Sequence, residues 1–127
     1  MTFYPMFDPS NLRAGDSPLV AREITVAQTA ANPAVPYVRG QLLGRVTASD
    51  KYIPCVKTAV DGSQNPAAVL AADSDATVAD VATVAYFEGE FAFEKMTVDA
   101  SWTAATLEAA FRQADAPIFI RSLGTLG

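Results

Sequence analysis

Hydrophobic and polar residues alternate most regularly between Ala85 and Lys95. Ala85, Phe87, Gly89, Phe91 and Phe93 hold one parity, and Tyr86, Glu88, Glu90 and Glu94 hold the other. A period of two puts the aromatic set on one face and the carboxylates on the opposite one, which predicts a half-buried antiparallel strand with a solvated acidic side. The β-branched run from Leu19 to Ala27 gives Val20, Ile24 and Val26 a common face, interrupted by Arg22. After the breaker Asn32-Pro33-Ala34-Val35-Pro36, Tyr37 to Thr47 reads as a strand with Val38, Leu42 and Val46 on one side and Arg39, Gln41 and Arg45 on the other. Gly40 and Gly44 fall on its apolar side, so it is expected to bend there or to admit another backbone closely. Shorter strands are expected at Tyr52 to Val56, at Ala68 to Ala71 beyond the turn Asp61-Gly62-Ser63, and at Ile118 to Ile120.

The period changes to 3.6 once, from Thr103 to Ala114, where Ala104, Leu107, Phe111 and Ala114 form an apolar stripe and predict a helix. Thr103 is its expected N-cap. Trp102 before the cap and Leu107 at the fourth helical position have the spacing of a hydrophobic staple, and Pro117 stops the segment. Met1 to Pro18 follows neither period, because Phe3, Tyr4, Met6, Phe7 and Leu12 are interleaved with Pro5, Pro9, Gly15 and Pro18. The expected organisation is an extended N-terminal arm, residues 1–18, ahead of a small single α+β domain over 19–127, mainly β with one C-terminal helix.

The 127 residues suit a single core, and a composition 50% hydrophobic and 18% charged is that of a folding chain. Net charge is −5, and the nine basic residues are scattered from Arg13 to Arg121, so no stripe exists to neutralise phosphates and no direct nucleic-acid partner is expected. No apolar run approaches the ~20 residues that span a bilayer, so no membrane partner is expected either. Met1 onward lacks the basic start and apolar stretch of a signal peptide, which predicts synthesis in the cytoplasm. The lone Cys55 cannot form an internal disulfide. There is no histidine, which removes the commonest general base and metal ligand, so neither an enzyme nor a cofactor is expected.

The residual chemical candidates are incomplete. Asp73, Asp75 and Asp80 open like a calcium loop, but Val78 stands at the glycine position and Val84 at the bidentate glutamate. Cys55 has no base to activate it, and Ser49-Asp50-Lys51 offers no desolvated lysine. Gly40-Gln41-Leu42-Leu43-Gly44-Arg45 lacks the lysine and the strand-to-helix setting of a phosphate loop. Glu88, Glu90 and Glu94 on one alternating strand read as its wet side rather than as paired catalytic acids.

The linear order of four segments is more specific: RGQLLGRVTASDKYIP from Arg39 to Pro54, AVDGSQNPAAVLAADSDA from Ala59 to Ala76, FEGEF from Phe87 to Phe91, and WTAATLEAAFRQADAPIFIRS from Trp102 to Ser122. In this order and spacing the chain resembles the bacteriophage head decoration protein family. The resemblance implies a β-clip-like decoration domain that forms a homotrimer. It also implies a place on the virion, on the outer surface of the expanded head, at threefold positions of the major capsid protein lattice, where the subunit cements the shell against the pressure of packaged DNA. The arm would then extend a capsid-protein sheet, with Phe3, Tyr4, Pro5, Met6, Phe7, Pro9 and Leu12 as its contacts. The chain departs from the lambda pattern in its arm sequence, in Cys55 and in the aromatic run Phe87 to Phe93. Two other classes stay open. One is a carbohydrate-binding surface module built on Tyr37, Tyr52 and Tyr86. The other is a trimeric β-clip phosphohydrolase, by analogy of fold.

Overall fold

The computed structural model describes residues 19–28 and 36–121. The arm with Phe3, Tyr4, Pro5, Met6, Phe7, Pro9 and Leu12, and the breaker as far as Val35, lie outside the described residues. The fold is mainly β with one helix near the C-terminus. Its strands are β1 (Val20–Val26), β2 (Leu42–Arg45), β3 (Tyr52–Pro54), β4 (Pro66–Leu70), β5 (Val81–Ala92) and β6 (Ile118–Arg121), and the helix α1 spans Ala104–Gln113.

Five of the strands close into a ring. β1 runs antiparallel to β5 along its whole length, β5 pairs with β4, β4 with β2 and β2 with β3. The last seam is thin: β3 meets β1 in parallel at Val26 and Tyr52 alone, where the Ala27 N–H donates to the Tyr52 carbonyl at 3.0 Å. Closure buries strand faces on both sides, which explains why neighbours such as Leu42 and Leu43 are both buried. Ile24, Val26, Tyr37, Leu43, Ala68, Leu70 and Ala85 pack together as one core. A second core, outside β2 and β4, holds Leu42, Val69, Phe91, Trp102, Leu107, Phe111, Ile118 and Ile120 beneath α1 and β6.

The expected strand from Tyr37 to Thr47 contracts to β2, with Tyr37 and Gln41 forming single bridges to Ser74 and Thr97. Gly40, at φ 91°, turns the chain before it, so Val38 and Val46 do not share the buried face of Leu42; Val38 is exposed and Val46 half-buried. Gly44 sits at a register shift between β2 and β4 and touches the backbone of Ser63 so closely that a Cβ would overlap its carbonyl. Gly44→Ala is therefore expected to lower stability by about 1–3 kcal/mol through forced backbone displacement. A urea midpoint equal to that of the parent chain would show that the Ser63 loop yields freely.

β5 corrects the reading of a single aromatic face. Val20 lies opposite Glu88 but Ala21 opposite Tyr86, so Phe87 is an extra residue in the ladder, and Gly89 follows at φ 150°. One extra residue reverses the alternation. Phe87 consequently packs with the ring core, whereas Phe91 and Phe93 belong to the outer core. Beyond the bend, Gly89–Ala92 pairs in parallel with β6, and Phe93–Lys95 is a 3-10 turn rather than strand.

Thr103 caps α1 as expected, and Thr106 completes a reciprocal capping box. Leu107 and Phe111 are fully buried and Trp102 shares their cluster. Ala114 is the exposed C-cap rather than part of the stripe, and Asp115 at φ 55° reverses the chain toward β6.

Candidate docking surface and the groups around it

The carboxylates of the incomplete calcium loop are spent on local protein donors. Asp73 accepts the Arg39 N–H, Asp75 accepts both the N–H and the hydroxyl of Thr77, and Asp80 accepts the Gln28 N–H and the Lys51 ammonium. These donors hold the Asp75 and Asp80 carboxyls below the ordinary range. Lys51 is thereby turned to Asp80 and away from Ser49, whose hydroxyl accepts only the Lys51 backbone N–H. Asp50, at φ 61°, pairs with Arg45 at 2.8 Å. On β5, Glu90 accepts two guanidinium hydrogen bonds from Arg121, so the acidic face is partly covered by β6 rather than uniformly wet.

Cys55 is buried in the outer core, and its carbonyl accepts the Trp102 indole N–H at 3.2 Å. Burial pushes the Cys55 thiol up to about 12, against a smaller opposing effect of Trp102. Burial, with a lesser contribution from Asp80, also pushes the Tyr37 phenol up to about 12. Both groups resist ionisation when folded, so their contribution to stability is complete below the ordinary values of 9.0 and 10.0 and is lost as pH rises toward about 12. Thiol reagents are accordingly expected to label Cys55 only as the chain unfolds, and the melting temperature should fall between about pH 9 and about pH 12. Rapid labelling in native buffer, or a flat melting temperature across that range, would contradict this.

The three tyrosines do not form an exposed platform. Tyr37 lies inside the ring and donates its hydroxyl to the Ala27 carbonyl at 2.8 Å. Tyr52 meets Phe87 edge-on at 6.1 Å, and Tyr86 packs on Phe91 at 5.6 Å. Their rings are used for packing, so the carbohydrate reading loses its residues.

What the surface does offer is strand edge and isolated apolar side chains. β1 presents an edge away from β5 that borders a groove of about 310 Å³ lined by Arg22, Glu23, Ile24, Thr25, Asp50, Tyr52 and Phe87. Arg22 lies over the Phe87 ring at 5.3 Å. β6 pairs only with β5 among the described residues and exposes Phe119. At the far loops Val60 is 93% and Val78 84% exposed, on either side of the β2–β3 hairpin, which holds them through Thr47 to Asp61 and Lys51 to Asp80. Sequence reasoning missed the groove because it arises from a seam between strands distant in the chain. Phe119 was visible in principle, since an alternating Ile-Phe-Ile strand must point one hydrophobe outward.

A model of the family described as bacteriophage lambda head decoration protein D matches residues 5–118. The chain belongs to the phage lambda head decoration protein family. It is a structural, capsid-decorating component of a phage head. The matched span begins inside the arm, takes in the whole ring and α1, and ends at the first residue of β6. A search of curated proteins returns no match. Within the decoration protein family, a strand-rich body in which Asp73, Asp75, Asp80 and Glu90, and the rings of Tyr37, Tyr52 and Tyr86, are engaged internally suits an architectural part, because such a part acts through its edges and surfaces.

Proposed function

We propose that this chain is a homotrimeric cement that binds the outer surface of the expanded head at threefold sites of the major capsid protein and stabilises the shell against packaging pressure. The family match over residues 5–118 carries the reading, since it includes most of the arm together with the body. The arm, residues 1–18, is the capsid-binding element: Phe3, Tyr4, Pro5, Met6, Phe7, Pro9 and Leu12 give an extended segment that adds a strand to a capsid-protein sheet and fills pockets beside it. Three arms on one trimer bind with an avidity that a single arm lacks.

Purified protein is expected to scatter light as three times the 13.4 kDa chain mass and to co-sediment with expanded capsids. It should also delay their rupture on removal of divalent cations. A monomer mass at micromolar concentration would remove the trimer from this reading, and failure to co-sediment would remove the decorating role at threefold sites.

A further inference from the structure

The ring is held unevenly. β1 lies on β5 from Val20 to Val26, and β2 is in register with both β3 and β4, whereas β3 and β1 share the single pair Val26 and Tyr52 among the described residues. Few backbone bonds cross this seam, so a local opening there sacrifices less than an opening anywhere else in the ring. Its inner side is the core: Val26 is fully buried, and Tyr37, 2% exposed, donates its hydroxyl to the Ala27 carbonyl at 2.8 Å.

Asp80, the residue before β5, divides its carboxylate between the two sides of the seam. Oδ1 accepts the N–H of Gln28, just past the end of β1, at 2.7 Å, and Oδ2 accepts the ammonium of Lys51, the residue before β3. Since β1 and β5 are already joined by a long ladder, the bond to Lys51 is the one that ties the β2–β3 hairpin to that pair. The hairpin is braced within itself by the Val46 N–H on the Lys51 carbonyl at 2.8 Å and by Arg45 on Asp50, and it is fixed at its other side by the Thr47 N–H on the Asp61 carbonyl. It can therefore move as a unit. The Lys51 and Asp80 side chains are 41% and 37% exposed, so water and salt ions reach this tie while the core behind it stays dry.

We propose that the ring opens locally at the β1–β3 seam, the β3 side of the hairpin lifting from β1, and that Asp80 is the latch that holds it shut. Hydrogen exchange on the full-length chain tests this, with the Ala27 N–H, which bonds to Tyr52 and touches neither latch side chain, as the reporter. The Ala71 and Gly89 N–H groups, bonded to Val84 and Pro117, are the controls away from the seam. Lys51→Met keeps the aliphatic stem and is expected to speed Ala27 exchange roughly 2- to 5-fold, the range of an exposed ion pair. Asp80→Ala should speed it roughly 10-fold or more, because the Gln28 N–H loses its acceptor as well. The controls should exchange at the parent rate in both. Salt at about 1 M should speed Ala27 exchange in the parent chain and leave the Lys51→Met rate unchanged. If Asp80→Ala does not fold, Asp80→Asn and Lys51→Met carry the test. Ala27 exchange at the parent rate in the variants, an equal acceleration of Ala27, Ala71 and Gly89, or a parent chain indifferent to salt overturns the latch.

Discussion

Deleting Thr2 to Ser17 is expected to weaken attachment to expanded capsids by roughly 100-fold or more while the shortened chain still folds and assembles. The reason is a division of labour. Among the described residues both cores are built from the ring, α1, β6 and the loops between them, so the body is expected to keep its packing when the arm is removed. On the proposed function the arm would contribute strand hydrogen bonds worth ~1 kcal/mol each, and a trimer would multiply the loss because all three arms vanish together. The measurement is co-sedimentation of full-length and shortened protein over a concentration series on the same capsids. Equal binding would place the docking surface on the body.

Phe111→Ala is expected to cost about 3–5 kcal/mol, a large part of the stability of a domain of this size. Phe111 is fully buried and belongs to the cluster that joins α1 to β6 and to the outer face of β2 and β4. Truncation leaves a cavity between elements from four parts of the chain, and the better helix propensity of alanine, about 0.5 kcal/mol, offsets little of it. In urea the midpoint should fall sharply with the slope unchanged. A loss below about 1 kcal/mol would mean that the outer core collapses around the gap.

Local signals were legible in the sequence and distant ones were not. The Leu19 to Ala27 run became β1, the Thr103 cap and the Leu107–Phe111 stripe became α1, and the Ile-Phe-Ile alternation became β6. Thr106 escaped notice because a capping box is usually read from glutamate or glutamine at that position. The face change between Phe87 and Phe91 depends on one extra residue opposite β1, a fact of pairing rather than of composition. Tyr37 looked available for a surface platform because its burial is produced by ring closure between β1, β2, β4 and β5, all of it non-local. The arm contacts, Phe3 through Leu12, lie outside the described residues and are carried by the resemblance of the chain to its family.

The full-length pairing of β1 with β5 has a mechanical meaning. Val20 opposite Glu88 through Val26 opposite Val81 form a ladder whose hydrogen bonds lie across the strand direction. A tether leaving at Leu19 and pulled along β1 loads that ladder in shear, so its bonds resist together instead of opening one after another. On the proposed function, tension in a capsid-bound arm would be delivered to this ladder, the longest among the described residues, and from there through β5 to both cores, which would make β1 the strain-bearing root of the anchor.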